Sequence, residues 1–382
     1  MSNFPVSVYA RRIRHAAELA NAAGLDGLVF GTGAELAYLT GSWLSTHERL
    51  TALVIPAQGT PSFLLPAVDR GELARSALGE LDVEIVGWED GADPHALAIE
   101  ALRLSETAPS ERGARVGLGA TLTADHIFPL QEILRAAGRE TVLASSLLKE
   151  LFMRKDEEEI DQLRAAGKAI DQVHAQVPNL LRAGITERAV AQQLEQLILD
   201  VGHTAVDFVI VGSGPNGANA HHDFSDRQLT DGDVVVVDIG GTWGAGYHSD
   251  CTRTYVVGGP GAAVDPEYAR LYQVLYQAQR AAVAAVRPGV TAASIDDVAR
   301  DVISKAGYGA EFIHRTRHGI GLSTHEEPFI MAGNDLVLEP GMAFSIEPGI
   351  YVPGKFGARI EDIVVVTETG CESLNNNTHQ LA

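Results

Sequence analysis

The second half of the chain carries five side chains of the type that ligate metal ions, each in a frame of apolar or turn-forming neighbours. Four are carboxylates and one is an imidazole. Two divalent cations suit this set, because four negative charges balance four positive ones, and the set predicts a two-metal hydrolase. The five residues are Asp238, Asp250, His318, Glu347 and Glu361.

The spacing of the acids predicts two β-hairpins. Asp238 and Asp250 are 12 positions apart and Glu347 and Glu361 are 14 apart, and a glycine stands midway in each interval. A glycine turn between two apolar runs is typical of a hairpin. Residues equidistant from such a turn face each other with Cβ atoms about 4.5–5.5 Å apart, so we expect each pair to grip or bridge cations.

Composition narrows the class of protein. The 382 residues are enough for two or three domains, and 46% of them are hydrophobic, as in globular proteins. The formal net charge of -21 argues against nucleic acid or an anionic membrane as a partner. No stretch reaches the roughly 20 apolar residues of a membrane helix. Two cysteines make no disulfide scaffold, and the start lacks a signal-peptide pattern, so we expect a cytoplasmic protein.

The elements that must position these side chains fall into two parts. In the first, apolar runs alternate with helical patterns, which predicts an α/β domain over residues 1–147. In the second, residues 148–382, helices pack around strands that carry the carboxylates, which predicts an α+β domain. The predicted strands of the first part are 28–30, 51–55, 62–65, 83–86 and 116–118. The predicted helices are 8–23, 69–78, 93–104, 123–137, 147–181, 186–201, 266–287 and 293–306.

The order Asp, Asp, His, Glu, Glu with these flanks resembles the metal centre of the pita-bread metallopeptidase family, which includes prolidase, aminopeptidase P and methionine aminopeptidase. The match is specific at 232–254, 318–325 and 341–366. The run Ala37–Gly41 resembles the N-terminal domain of prolidase and aminopeptidase P. The resemblance implies an α/β creatinase-like N-terminal domain followed by a pita-bread catalytic domain with a creatinase/aminopeptidase-like fold.

Ligand roles follow from this resemblance. Asp238 would bind one metal through both oxygens, and Asp250 and Glu361 would bridge the two ions. His318 would bind one ion and Glu347 the other, and Glu347 is also the candidate proton shuttle. We expect two divalent ions per chain. The resemblance suggests Mn²⁺ or Co²⁺, and one imidazole among oxygen ligands also permits Zn²⁺.

The resemblance extends to residues that do not bind metal. His221 and His325 match two active-site histidines that stabilise substrate and transition state. Arg359 shares a strand face with Glu361 and is expected to fix a ligand carboxylate or to bind substrate. Tyr351 belongs either to the core or to the pocket wall.

A loop of the N-terminal domain is a further candidate. In relatives such a loop reaches the active site of the neighbouring subunit in a homodimer, and the alternative is an ordinary surface loop. The residues that would contact substrate there are Trp43, His47 and Arg49.

Three departures from the family pattern stand out. Ala220 replaces a proline that is common before the first histidine, and Arg317 replaces a glycine that often precedes the ligand histidine. The role of Arg317 is open: it points outward or lines the substrate entrance. Residues 319–342 contain no Arg or Lys, whereas several prolidases use an arginine in this region to clamp the substrate carboxylate.

We therefore expect a metal-dependent peptidase that cleaves the Xaa-Pro bond of small peptides with proline at the second position, using a water activated between the two cations. An Xaa-Pro dipeptidase, or prolidase, is the first hypothesis. An Xaa-Pro aminopeptidase that acts on longer peptides is the alternative, and a non-catalytic binding protein on the same fold is a remote one.

Overall fold

A computed structural model of the protein describes residues 4–46, 48–104, 114–259 and 261–381. The chain divides into two compact units, one ending at Leu151 and the other beginning at Phe152. This division falls four positions after the boundary expected at residue 147. None of the helices formed by the described residues is both long and apolar enough to cross a bilayer.

The first unit is a mixed six-stranded sheet with helices. Its strands have the order β4-β3-β2-β1-β5-β6; the pairs β1–β2 and β2–β3 are antiparallel and the rest are parallel. The strands are β1 Gly27–Phe30, β2 Ala52–Pro56, β3 Ser62–Pro66, β4 Glu84–Trp88, β5 Arg115–Leu118 and β6 Glu140–Leu143. The helices are α1 Val6–Ala22, α2 Ala34–Thr40, α3 Pro94–Ala101, α4 Ala124–Ala136 and α5 Ser145–Met153, with 3₁₀ turns at Ala67–Arg75 and Ala77–Gly79.

Apolar residues of the central strands and of α3 and α4 form the core of this unit, which explains why those runs fold as they do. Two short elements escaped the sequence analysis, α2 and β6. The helix expected at 69–78 is instead a pair of 3₁₀ segments, the first of which, Ala67–Arg75, buries none of its side chains. Without an apolar face to bury, this stretch lacks the packing that stabilises most α-helices.

The described residues of the second unit form two sheets, a separate hairpin and five helices. The helices are α6 Glu157–His174, α7 Val177–Leu180, α8 Glu187–Asp200, α9 Pro266–Ala285 and α10 Ala292–Lys305, with 3₁₀ turns at Gly214–Ala218 and Gly309–Glu311. The strands of the first sheet are β7 Ala205–Ser213, β8 Val234–Trp243, β9 Tyr247–His248 and β10 Cys251–Val256. The remaining strands are β11 Arg317–Gly319, β12 Glu326–Ile330, β13 Ala343–Ile346, β14 Gly349–Val352, β15 Phe356–Arg359, β16 Asp362–Val366 and β17 Cys371–Ser373.

Each sheet of this unit has its own helical layer. Helices α6 and α8 pack on the sheet of order β10-β8-β7, and α9 and α10 pack on the sheet of order β12-β11-β13-β16-β17. The run Val234–Val237 suits a strand buried on both faces, because β-branched side chains pack well on a pleated surface. The acids therefore sit on strands whose apolar neighbours are anchored in two cores.

The single helix expected over 147–181 is wrong: the structure has three helices there. Asp156 is the N-cap of α6, with ψ 171°, and its side chain forms a capping box with Glu159. An N-cap residue cannot have helical backbone angles, so α5 must end before it. Pro178 stands in the first turn of α7, where it cannot continue a preceding helix.

The two acidic hairpins differ in register. Gly349 pairs with Arg359 and Ile346 with Asp362, so Glu347 and Glu361 are opposite each other in the ladder, as expected. The expected pairing of Asp238 with Asp250 is wrong, because Asp238 pairs with Thr252. The turn between Trp243 and Tyr247 is centred one position later than expected, so the partner of each residue shifts by two positions. Because strand side chains alternate between faces, a shift of two keeps the side chains on the same face.

Strand β10 joins the first sheet to the segment that follows the second hairpin. Glu361 N donates to Thr252 O over 3.1 Å, and Thr254 Oγ1 donates to Arg359 O over 3.0 Å. The buried Arg253 guanidinium donates to Asp362 Oδ1 over 2.7 Å. These contacts bring Glu361 to the position where Asp238 and Asp250 lie.

Two glycines allow the loop after β7 to approach the second hairpin. A Cβ on Gly357 would overlap the carbonyl group of Gly217 and would also lie only 2.9 Å from Tyr351 Cδ1, closer than van der Waals contact. Only a residue without a side chain lets these two backbone segments touch.

We predict that Gly357→Ala destabilises the second unit by about 1–3 kcal/mol, because the overpacked backbone must shift. Thermal unfolding followed by circular dichroism measures the effect as a lower Tm. Gly370→Ala is the matched control, since an added Cβ meets no atom within 4 Å there. Equal Tm values for the two variants would contradict the close approach.

Candidate metal centre

Three buried carboxylates form the centre of the site. Asp238 comes from β8, Asp250 precedes β10, and Glu361 precedes β16. One oxygen of each lies within 4.8 Å of the others, and the residues are only 6, 5 and 1% exposed. Three anions so close together in a buried place repel one another unless positive charge lies between or beside them.

The electrostatic effect of this crowding is visible in the pKa values. Burial, followed by the neighbouring Glu361 and Asp238 carboxylates, raises the pKa of Asp250 well above its usual range. Burial and Asp238 likewise raise the pKa of Glu361. A divalent cation among the three groups would favour their charged forms and remove this cost.

His318 and Glu347 flank the three carboxylates. His318 Nε2 lies 3.5 Å from Glu347 Oε1 and 3.8 Å from Asp250 Oδ2. The other ring nitrogen, Nδ1, is 3.1 Å from Gly319 O and donates to it, which leaves the Nε2 lone pair directed at the carboxylates. Burial and the nearby His325 lower the pKa of His318 to about 3, so the ring is neutral, the form that ligates metals.

The donor set fits a divalent cation. Asp238 Oδ1 and Glu361 Oε1 are buried and have no hydrogen-bond partner among the residues that the structure describes. Buried polar atoms normally have a partner, and a carboxylate oxygen without one is suited to an ion. Oxygen ligands with one imidazole suit hard or borderline divalent ions.

Arg359 is buried against the ligands. Its Nη2 donates to Asp238 Oδ2 over 2.6 Å, and its Nε donates to Thr252 Oγ1 over 3.1 Å. Its Nη1 donates to Tyr351 Oη over 2.8 Å, and Tyr351 is itself buried. The structure thus places Arg359 on a ligand carboxylate and Tyr351 behind Arg359, away from the cavity wall.

A cavity of about 640 Å³ opens in front of these groups. Four of the five ligand candidates line it, and Glu361 lies behind them. His221 and His325 line it as well, and the His325 ring centre is 4.0 Å from that of His318. Burial and Arg317 lower the pKa of both histidines, so each is a neutral ring with one N–H to donate.

Arg317 also lines the cavity, so the alternative that it points outward is wrong. Its Nε lies 2.6 Å from Glu347 Oε2, in a contact of which the two side chains are only 11 and 2% exposed. Its φ of 145° belongs to the region that favours glycine, which explains a preference for glycine at this position. Retaining an arginine there costs of order 1–3 kcal/mol of backbone strain.

The sequence analysis missed three acids in or near the site, which are Asp207, Asp223 and Glu187. Asp207 lines the cavity, and its Oδ2 accepts from His248 Nδ1 over 2.6 Å. His248 stands two positions before Asp250, so strand alternation could have placed it on the same side. Glu187 lies in the first turn of α8, outside the cavity, and nothing in its sequence context marks it.

Glu187 organises the loop that carries His221. Its fully buried carboxylate accepts hydrogen bonds of 2.5–3.1 Å from donors on both arms of that loop. The donors belong to Ser213, Asn216, His222 and Ser225. Burial opposes ionisation of Glu187, but the bonds from Ser213, Ser225 and His222 lower its pKa to about 2.

The N-terminal-loop candidates lie in the first unit. Arg49 Nη2 contacts Asp90 Oδ2 at 3.1 Å, and Trp43 is half-buried. His47 lies outside the described residues. Their contact with a substrate in a neighbouring subunit stays a prediction.

Sequence and structure comparisons identify the family of the chain. The profile of metallopeptidase family M24 matches residues 161–368, and the creatinase/prolidase N-terminal domain matches residues 12–153. The chain belongs to metallopeptidase family M24. The expected resemblance and the expected fold, a creatinase-like domain followed by a pita-bread catalytic domain, are confirmed.

Several relatives are similar over nearly their whole length. A probable dipeptidase PepE of Mycobacterium tuberculosis is 53% identical over 380 residues, 99% of this chain and 97% of that protein. An Xaa-Pro dipeptidase of Lactobacillus helveticus is 37% identical over 348 residues, 91% of each chain. The crystal structure of dipeptidase PepE from Mycobacterium ulcerans has 52% identity and a TM-score of 0.92, and covers 100% of this chain and 99% of that one.

Family membership decides the class of protein. The chain is an enzyme and a peptidase, and M24 metallopeptidases work with divalent metal ions. The remote alternative of a non-catalytic binding protein is therefore set aside. The number and kind of ions, and the role of each residue, belong to the proposal below.

We predict that Glu187→Gln lowers the stability of the folded protein by about 1–3 kcal/mol, because an amide NH₂ then faces buried donors. The folded-state pKa of about 2 lies below the ordinary value of 4.5, so this stabilisation is complete above about pH 4.5 and disappears as the pH falls towards 2. The gap in Tm between wild type and variant should be constant from pH 7 to 5 and should narrow in more acid buffer.

The exposed Glu368, in the turn between β16 and β17, gives the matched control Glu368→Gln. That variant should match the wild-type Tm at every pH. A Glu187→Gln protein with unchanged Tm at pH 7 would show that the network does not hold the loop.

Proposed function

We propose that this enzyme is an Xaa-Pro dipeptidase that uses two divalent ions. The main observation behind this proposal is that five candidate ligands converge at one end of a cavity of about 640 Å³. They are Asp238, Asp250, His318, Glu347 and Glu361. That volume lies in the usual range for small-ligand sites, roughly 300–1,000 Å³. The names of the relatives, dipeptidase and Xaa-Pro dipeptidase, support the same substrate class.

The chemistry of proline explains the need for such a site. The Xaa-Pro amide has no N–H, so an enzyme must recognise it by the ring and by the groups on either side. Phe208 and Ile210 supply an apolar wall of the cavity beside the ligand candidates. A proline ring can pack there, and this favours small peptides with proline at the second position.

The proposed reaction adds water across the Xaa-Pro bond. When bound, the two ions lower the pKa of a water and polarise the scissile carbonyl. His221 and His325 donate N–H hydrogen bonds to the carbonyl oxygen as negative charge develops on it. Glu347 takes a proton from the attacking water and delivers it to the proline nitrogen. The hydroxyl group stays on the carbonyl carbon, the C–N bond breaks, and proline leaves as a secondary amine.

The charge of the ligands sets the number of ions in this proposal. Four carboxylates match two divalent cations, with Asp250 and Glu361 as bridges and Asp238 and Glu347 as terminal ligands. Mn²⁺ and Co²⁺ are the first choices for an oxygen-rich set with one imidazole, and Zn²⁺ is a further possibility. A cytoplasmic homodimer, with Trp43, His47 and Arg49 reaching a neighbouring active site, completes the proposal.

An Xaa-Pro aminopeptidase is the second candidate. The observation in its favour is that residues 319–342 contain no Arg or Lys that could bind a dipeptide carboxylate. Such an enzyme would prefer longer peptides, in which the C-terminal charge lies farther from the scissile bond.

A substrate panel separates the two candidates. We expect Ala-Pro and Gly-Pro to be cleaved with kcat/KM at least about tenfold above that of Ala-Pro-Ala, a difference of roughly 1.4 kcal/mol in transition-state binding. Ala-Ala is the control without proline. Assays with Mn²⁺, Co²⁺, Zn²⁺ and a chelator identify the effective ion. A preference for Ala-Pro-Ala would favour the aminopeptidase, and no turnover with any ion would refute both.

Variants of the bridging acids test the ligand set. Asp250→Ala or Glu361→Ala should lower kcat by about a thousandfold or more, because each removes a ligand shared by both ions and ion-based stabilisation is worth several kcal/mol. Metal analysis of the dialysed variants should show lost ions, and their Tm should equal or exceed that of wild type stripped of metal with a chelator, because one repelling carboxylate is gone. Asp301→Ala, a surface acid paired with Lys305, is the control. Substantial activity in either variant would rule out the bridging roles.

A further inference from the structure

Acidic side chains outnumber basic ones in the lining of the cavity. Five acidic residues line it, and Arg317 is the only arginine or lysine among the described lining residues. The acids are Asp207, Asp223, Asp238, Asp250 and Glu347. The two proposed ions would balance the ligand acids, so Arg317 is the one remaining positive side chain among the described lining residues that can attract a negatively charged group of a substrate.

The proposed substrate brings a negative charge into this place. In an Xaa-Pro dipeptide the terminal carboxylate is attached to the proline Cα, the atom next to the scissile nitrogen. It therefore lies within about one residue length, 3.8 Å, of the bond that is cut. Each further residue in a longer peptide moves the charge away by up to about 3.3–3.6 Å. A cationic side chain that contacts the dipeptide carboxylate must therefore lie next to the metal ligands.

Arg317 has that position. Its Nε lies 2.6 Å from Glu347 Oε2, so the guanidinium borders directly on the ligand candidates. Arg359, the other guanidinium near the ligands, is buried behind them with donors bound to Asp238, Thr252, Tyr351 and Ala220. Four of its five N–H groups are used in these bonds and the residue is only 1% exposed, so a substrate group cannot reach it.

The donors of Arg317 are not committed in the same way. Despite its short distance to Glu347, the Nε–H has no aligned hydrogen-bond acceptor within the described part of the chain. The contact with Glu347 is therefore one of charge, without a directed bond. A guanidinium offers a flat fork of five donors that matches a carboxylate. The ion pair with Glu347 holds the Arg317 guanidinium at the cavity wall and leaves its N–H donors available for a carboxylate.

We propose that Arg317 binds the C-terminal carboxylate of the dipeptide and so determines the preference for dipeptides. This inference rests on the proposed dipeptidase function and names the residue that gives it its specificity. It also explains how the chain recognises a dipeptide although residues 319–342 lack a basic side chain. The strained backbone at Arg317 is consistent with a residue retained for binding.

The test compares Ala-Pro with its uncharged analogue Ala-Pro amide. The measured quantity is the ratio of kcat/KM for the acid to kcat/KM for the amide, in wild type, Arg317→Gly and Arg317→Lys. Glycine suits the backbone angle at this position, so the Gly variant keeps the fold. Lysine keeps the charge and loses the fork. Arg188→Ala, which removes a surface arginine paired with Asp226, is the control.

We expect wild type to favour the acid, and Arg317→Gly to lower the ratio by about tenfold to a hundredfold through a higher KM for Ala-Pro. Arg317→Lys should fall between the two, and the control should keep the wild-type ratio. An unchanged ratio in Arg317→Gly would overturn the assignment. An equal loss of kcat/KM on both substrates, together with a changed metal content, would also overturn the assignment, because Arg317 would then act only through Glu347. A wild type that cleaves no Xaa-Pro peptide would instead refute the proposed function itself.

Discussion

Four carboxylates held together away from water are the constraint on which this structure depends. At about 4–5 Å, two like charges repel by roughly 3–4 kcal/mol even at an effective dielectric constant near 20. The chain relieves part of this with two buried guanidiniums, Arg359 on Asp238 and Arg317 on Glu347. The remaining repulsion is left for divalent ions to offset. Asp238 and Glu361 each have an oxygen without a hydrogen-bond partner in the described part of the chain that could bind such an ion, and His318 has a neutral ring.

Glu187 shows the other way in which this fold keeps an acid buried. Its carboxylate is neutralised by hydrogen bonds from the loop before and after His221, and its pKa is lowered. Among the described residues Glu361 accepts one side-chain hydrogen bond, from Thr252 Oγ1 over 2.6 Å, and Asp250 has no comparable set of donors, so the pKa values of both are raised. Glu187 therefore stabilises the structure, because hydrogen bonds from the protein reach every lone pair of its carboxylate. Asp250 and Glu361 are instead positioned for an ion.

The scaffold serves to hold these groups still. Each ligand strand is anchored by its own apolar core, one under α6 and α8 and the other under α9 and α10. Hydrogen bonds from β10 to the segment around Glu361 tie the two halves of the site together. The cavity has one wall of candidate ligands, one of apolar residues and, among the described lining residues, a single guanidinium at the border.

Local sequence patterns were enough to predict many of the helices and strands. The periodic helices α8, α9 and α10 and the central strands of the first unit begin and end near their expected limits, because their apolar faces repeat over many residues. Errors arose where short-range chemistry overrides periodicity. The Asp156 cap divides a continuous helical pattern, and a turn centred one residue later gives Asp238 the partner Thr252. Register depends on turn geometry, which the spacing of two acids does not contain.

The sequence by itself marked the five candidate ligands, since their residue types, their order and their apolar flanks are all read directly along the chain. Only the tertiary structure decided which charges meet. Arg317 was an anomaly in sequence and became a cavity-lining cation, and Glu187, unmarked in sequence, became the anchor of the His221 loop. Both outcomes depend on contacts between segments about 25 to 40 positions apart, and such contacts follow from packing of the whole fold rather than from any local pattern.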